Sequence, residues 1–160
     1  MDEVLKLASQ AKRMYETADH LTYVTFPVVN EIRLLATITE NLHTALVHGM
    51  NAVLQYDRLY KRIPPLNSDF NSRFEVFKTK CVPRYNLDRS VILLIQDLGE
   101  IIEKRKESPM EFQRKDKFVI CSHDYRMKTL SLSKVKEYLA QSKPFFSRLD
   151  TIFNKNGRRF

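Results

Sequence analysis

The chain has 160 residues, 43% of them hydrophobic, and 27 Lys/Arg against 19 Asp/Glu give a net charge of +8. A chain of this length can bury enough apolar surface to fold without disulfides or metal, so one domain over residues 1–160 is expected. With only three glycines and no phosphate-cradling loop, the nucleotide-binding α/β classes are excluded, and helix-period apolar spacing from Val4 to Phe153 predicts an all-α bundle of about five helices.

In chain order, Val4, Leu7, Ala11, Met14, Ala18 and Leu21 share one helical face and predict a first helix that ends before Pro27. A long core helix is predicted from Val28 to Ile63, with Leu35, Leu42, Leu46, Val53, Tyr56 and Tyr60 on its apolar face and Gly49 as the place to bend. Ser68 is the expected cap of a short third helix that turns Phe70, Phe74, Phe77 and Cys81 inward and closes at Pro83. Asn86 or Asp88 opens a fourth helix with Val91, Leu94, Ile95, Leu98 and Ile101 on its apolar face. Ser108, Pro109, Met110 and Glu111 match a capping box with proline at the first helical position, which predicts a short helical turn. Residues 117–130 read instead as a short β-hairpin or irregular insertion: Phe118 to Cys121 form one strand, Ser122 to Tyr125 the turn, and Met127 to Leu130 the return. Ser133 is the expected cap of the last helix, which Pro144 should kink or break. The chain shows no internal repeat and no linker.

Cys81 and Cys121 both sit in apolar contexts and read as reduced core residues. Met1, Asp2 and Glu3 lack the basic region of a signal peptide, and the charge-free run Asn41 to Tyr56 is interrupted by His48, Asn51 and Gln55, so a cytoplasmic protein with no membrane span is expected. No ligand set has standard metal spacing, and no metal or cofactor is expected. Glu40 and His43, one turn apart, read as a local polar pair. Cys121, His123 and Asp124 are too close in sequence to act as a catalytic triad.

Charge carries the functional content. Residues 1–50 hold four Lys/Arg and six Asp/Glu, a net of −2, while residues 51–160 hold twenty-three against thirteen, a net of +10. Clusters occur at Arg58, Lys61 and Arg62, at Lys78, Lys80, Arg84 and Arg89, around the predicted hairpin at Arg114, Lys115, Lys117, Arg126 and Lys128, and at Lys155, Arg158 and Arg159. Tyr85 beside Arg84 and Tyr125 beside Arg126 each pair an aromatic ring with a guanidinium, a combination suited to unpaired RNA bases and their phosphates. The reading is a non-enzymatic binding or assembly module with a basic surface, for RNA or an acidic protein partner. Arg84, Tyr85, Arg89, Arg114, Lys115, Lys117, Tyr125, Arg126 and Lys128 are its candidate binding residues. A structural subunit of a larger complex is the blander alternative. The long helix also carries a polar stripe through Asn30, Thr37, Asn41, Thr44, His48, Asn51, Gln55, Arg58 and Arg62, uncharged in its middle and suited to a hydrogen-bonded contact with another helix or to a homodimer.

Arg13 and His20 lie seven residues apart on the first helix. This arginine, six residues, histidine spacing resembles the motif of HEPN ribonucleases, helical bundles that often dimerise to bring the motif to a shared cleft. The resemblance implies metal-independent RNA cleavage, with His20 as general acid or base and Arg13 stabilising phosphate. The chain as a whole, including the segment SPMEFQRKDKFVICSHDYRMKTL over residues 108–130, is similar to small uncharacterised helical-bundle proteins of archaea, a likeness that implies a cytoplasmic bundle and no particular activity.

Overall fold

The computed structural model describes residues 1–107, 110–122 and 126–154. The elements run α1 (Asp2–His20), a π turn (Leu21–Thr25), α2 (Phe26–Val29), α3 (Leu34–Leu59), α4 (Phe70–Val76), a second π turn (Phe77–Cys81), α5 (Val82–Arg84), α6 (Ser90–Glu107), β1 (Met110–Arg114), β2 (Lys117–Cys121), β3 (Met127–Leu130) and α7 (Leu132–Asn154). This is the expected helical bundle with a small antiparallel sheet inserted before the last helix. No described helix is long and apolar enough to cross a membrane.

The bundle is built around α3, in which no residue from Ile38 to Arg58 is exposed. Ala8, Ala11 and Ala18 of α1 are fully buried, and their small side chains let α1 lie close along α3. α7 approaches at Gly49, where a Cβ would sit 2.7 Å from Phe145 Cε1 and 2.9 Å from Leu149 Cδ1. Gly49 therefore admits a neighbouring helix, and α3 runs unbroken through the predicted bend. Aromatic pairs fasten α7 to its neighbours: Tyr15 stacks on Phe146 with centroids 4.4 Å apart, and Tyr56 meets Phe153 edge-on at 5.5 Å.

The helix boundaries correct several expectations. The first helical rod does not stop before Pro27; it passes through a π turn into α2 and ends at Asn30, which adopts the left-handed conformation with φ 51°. Val28 and Val29 thus close the first rod, and the long helix starts at Leu34. The third rod repeats this device: a π turn, then Val82, Pro83, Arg84 and Tyr85, then Asn86 at φ 50°. Proline lacks an N–H and its ring crowds the carbonyl four residues earlier, here Tyr23 and Thr79. A wider π turn just before it makes room without ending the rod, so an apolar residue, proline, two residues and asparagine form a short repeat that periodicity alone does not reveal. Pro144 is accommodated differently: α7 is one helix through it, and Ala140, whose carbonyl loses its partner, is on the exposed side. The caps also shift by one or two residues. Asp69 accepts from the Ser72 N–H at 2.9 Å in place of Ser68, and Ser131 accepts from the Lys134 N–H at 3.1 Å in place of Ser133.

The insertion has three strands in the order β1-β2-β3, both pairs antiparallel. β2 and β3 are the predicted hairpin. β1 replaces the helical turn expected from Met110 onward, Ser108 and Pro109 lying outside the described residues. Its hairpin closes through Lys115 at φ 58°, a positive-φ lysine that carries none of the usual glycine or asparagine signal. Phe118, Ile120 and Leu130 of the inner sheet face are almost fully buried, and Arg105 of α6 lies over the Phe118 ring at 5.8 Å.

Candidate functional site

At the end of the bundle where α3 and α5 finish, one carboxylate organises three segments. Asp57, in the last turn of α3, has a fully buried side chain. Arg84 Nη1 donates to its Oδ2 at 2.5 Å, Arg62 Nη1 lies 3.5 Å from its Oδ1, the Tyr85 hydroxyl donates to Oδ1, and Cys81 Sγ lies 3.3 Å from Oδ2. Arg62 Nη1 also donates to the Tyr85 hydroxyl oxygen at 3.1 Å, and Arg148 of α7 donates from Nε to the Tyr85 carbonyl at 3.0 Å. The backbone prepares this meeting. After α3, Lys61 takes φ 57° and the Arg62 N–H bonds back to the Asp57 carbonyl at 2.8 Å, which folds Arg62 over its own helix end. The second π turn and Pro83 bring Cys81, Arg84 and Tyr85 to the same point.

The knot holds two guanidinium groups against one carboxylate. A buried carboxylate needs such pairing, but Arg62 and Arg84 keep 40% and 33% of their side chains exposed, so a net positive charge faces water. The neighbouring groups are poor nucleophiles. Burial and the adjacent Asp57 charge push the Cys81 thiol well above its ordinary range, and burial with the hydrogen bond to Asp57 does the same to the Tyr85 phenol. Both stay protonated at neutral pH, and the chemistry the knot offers is anion binding. Tyr60 stands beside it, 50% exposed, with the Arg62 guanidinium 5.1 Å from its ring centroid and Tyr56 edge-on at 5.0 Å.

The predicted binding residues fall into two groups. Arg84, Tyr85 and Arg89 lie at the knot end, Arg84 and Tyr85 as members of the knot and Arg89 exposed just before α6. Arg114, Lys115, Lys117, Arg126 and Lys128 lie on or beside the sheet, which packs along the C-terminal half of α6, where Arg105 meets Phe118. That helix has 18 residues, about 27 Å at ~1.5 Å per residue. The two basic groups therefore belong to opposite ends of α6. Tyr85 is half-buried with its hydroxyl committed to Asp57, so the exposed ring at this end is Tyr60, which its apolar spacing had placed in the core. Tyr125 lies outside the described residues, as do Lys155, Arg158 and Arg159. Lys128 pairs with Glu100 at 3.8 Å.

The sheet end has its own ionic chain. Arg105 of α6 donates to Glu40 of α3 at 2.6 Å and to Glu111 of β1 at 2.9 Å, so Glu40 reaches across the fold and does not pair with His43. A cavity of about 970 Å³ opens here between Glu40, His43, Phe70, Gly99 and Arg105. Phe70, expected in the core, is 42% exposed at its rim and stacks on Phe74. Burial lowers the His43 imidazole below its ordinary range. Arg13 and His20 both lie exposed on the outer side of α1. The polar stripe of α3 is half-buried within the single chain from Asn41 to Gln55, and Asn51 accepts from Arg73 at 3.3 Å. Comparisons with protein-family models, with curated proteins and with solved structures find no match to this chain.

Proposed function

We propose that the protein is a non-enzymatic binding module that holds single-stranded RNA at the knot end of the bundle. The observation that carries this reading is the pairing of two arginines with one buried carboxylate beside the exposed Tyr60 ring: the cations are fixed in place, in excess, and adjacent to a stacking surface. Residues 58–62 and 78–89 add Arg58, Lys61, Lys80 and Arg89 to the knot, while Lys78 pairs with Glu75 at 3.0 Å. Fixed guanidinium groups suit phosphate oxygens, and a tyrosine face stacks on any base with little sequence preference.

The test leaves Asp57 paired. Arg58, Lys61 and Arg89 are replaced together by glutamine, and binding of a labelled oligoribonucleotide is followed across salt concentrations. Losing three phosphate contacts on a single strand lowers the salt slope by about 2, and Tyr60→Ala weakens binding by about 1–3 kcal/mol per stacked base. The matching triple change at Arg114, Lys115 and Lys117 leaves most of the affinity in place. No binding by the unmodified chain at low salt, or equal loss from both triple variants, rejects the proposal. Displacement of RNA by polyglutamate at equal charge concentration favours an acidic protein partner instead.

A further inference from the structure

We infer that the outer face of the sheet holds a site for a soft monovalent metal ion, copper(I), built from Met110, Cys121 and Met127. The register sets Met110 opposite Cys121 and Cys121 opposite Met127, so three sulfur side chains from three strands form one row. Directly opposed residues project from the same face with Cβ atoms about 4.5–5.5 Å apart. That face is the outer one at the row of sulfurs: Phe118, Ile120 and Leu130 on the other face are 1%, 0% and 0% exposed, while Met110 and Met127 are 57% and 58% exposed; Val119, next to the row on the same face, is covered at 4%. Cys121 between them is half-buried, is not in a disulfide, and has its Sγ 3.7 Å from the Ser122 carbonyl oxygen. Methionine is unbranched with three rotatable bonds, so both thioethers can swing over the central sulfur while the strands stay in place.

The donor set selects the ion. Thioether and thiolate ligands are soft and suit copper(I), whereas hard divalent ions prefer oxygen, and zinc sites draw on Cys, His and carboxylates. No group of three His, Cys, Asp or Glu among the described residues suits such an ion. Charge points the same way. The described residues of this face include Arg114 and Lys117 and no carboxylate, so one thiolate with a monovalent ion adds no charge, while a divalent ion would add an uncompensated one. On binding, the Cys121 thiol releases its proton to solvent as the sulfur–copper bond forms, and the oxidation state of the metal does not change.

The experiment is an anaerobic titration of the whole chain with copper(I) against a chromogenic copper(I) chelator. One equivalent is withheld from the chelator by the unmodified protein. Met110→Leu with Met127→Leu keeps apolar volume and the fold, and weakens retention at least about tenfold, the equivalent of ~1.4 kcal/mol. Cys121→Ser abolishes retention, and Cys81→Ser, which changes the buried thiol at the other end of the molecule, leaves it intact. A protein that yields all its copper to the chelator, a double-leucine variant that retains copper as tightly as the unmodified chain, or a loss caused by Cys81→Ser each overturns the site. Should Cys121→Ser fail to fold, the double-leucine variant decides alone.

Discussion

The two ends of the bundle are cross-linked by ionic chains of opposite sign. At one end a single anion, Asp57, is shared by Arg62 and Arg84; at the other a single cation, Arg105, is shared by Glu40 and Glu111. They differ also in depth. The Asp57 side chain is fully buried, whereas Arg105 is 27% and Glu40 44% exposed. The hub of the first chain is therefore an obligate part of the core, and its spare charge is positive and directed outward. The second chain spends its one cation on two carboxylates and offers an anionic partner little. Burial of the hub, more than the number of basic residues, distinguishes the end suited to phosphate from the end whose Arg114, Lys115 and Lys117 stand exposed on the sheet.

The largest effect expected from this difference is in stability. Asp57→Ala strands two guanidinium groups beside an apolar core and should cost about 3 kcal/mol, the lower part of the range for breaking a buried pair, because both arginines reach water. Arg105→Ala removes a partly exposed group and should cost about 1 kcal/mol or less. Urea denaturation of the two variants measures the contrast, and equal costs would erase the distinction between the ends. Asp57→Asn, which keeps the shape and loses the charge, should fall between the unmodified chain and Asp57→Ala.

Two helix-interior glycines extend the comparison from charge to packing. A Cβ on Gly49 would lie within 3 Å of both Phe145 and Leu149, while one on Gly99 meets the His43 ring alone, nearest at Nε2 at 3.3 Å. Gly49→Ala should therefore destabilise by about 1–3 kcal/mol through overpacking, against a helix-propensity gain of up to about 1 kcal/mol. Gly99→Ala gains the same propensity with one small adjustment and should stay within about 0.5 kcal/mol of the unmodified chain. Thermal unfolding of both variants decides the point, and a costly Gly99→Ala would mean that the sheet end is packed as tightly as the core.

The apolar periodicity made the bundle legible, because burial of one helix face is written every three or four residues, and the short apolar run from Phe118 to Cys121, followed by a turn and a return, did the same for β2 and β3. The same periodicity misplaced Tyr60 and Phe70, which occupy stripe positions at helix ends where the stripe runs out into solvent. Gly49, expected as the place to bend, admits a neighbouring helix within a continuous α3, and in sequence a glycine that does so looks identical to one that yields. The knot was hidden for a different reason: Asp57, Arg62 and Arg84 lie in separate segments, and only the π turn before Pro83 carries Arg84 and Tyr85 to the carboxylate. An aspartate near the end of an apolar helix, followed five residues later by arginine, is the one local signal of it. β1 was missed because its residues, MEFQR, alternate weakly and its turn uses lysine.

Tyr85→Phe probes the knot more gently. It removes one hydrogen bond to a charged group and should cost about 1.5 kcal/mol at pH 7.5. The phenol is held protonated in the fold, above its ordinary value of 10.0, so the stability it contributes is complete below pH 10 and is lost as pH rises through the folded value. Cys81, raised from 9.0, behaves alike and begins to contribute an alkaline slope from about pH 9. Urea titrations at pH 7.5 and 10.5 should show the gap between Tyr85→Phe and the unmodified chain narrowing at the higher pH. A constant gap would mean that the phenol does not feel Asp57.

The smallest effect belongs to the sheet end and runs the opposite way in pH. His43 lies half-buried on α3 facing Gly99, and burial lowers its imidazole below 6.5; Glu103 opposes this shift and Lys106 adds to it. A base whose folded value is depressed contributes stability that is whole above 6.5 and fades as pH falls through the folded value, because the unfolded chain takes up the proton first. Stability of the unmodified protein should therefore decline as pH falls below 6.5, and His43→Gln, which keeps a polar side chain that cannot titrate there, should flatten part of that decline, the rest belonging to His48, which burial also lowers, while leaving the alkaline slope from Cys81 and Tyr85 untouched. Denaturation midpoints across both limbs test this directly. If His43→Gln changed the alkaline limb as well, the two ends would be coupled through α3, and the contrast between them would have to be replaced by one electrostatic unit spanning the bundle.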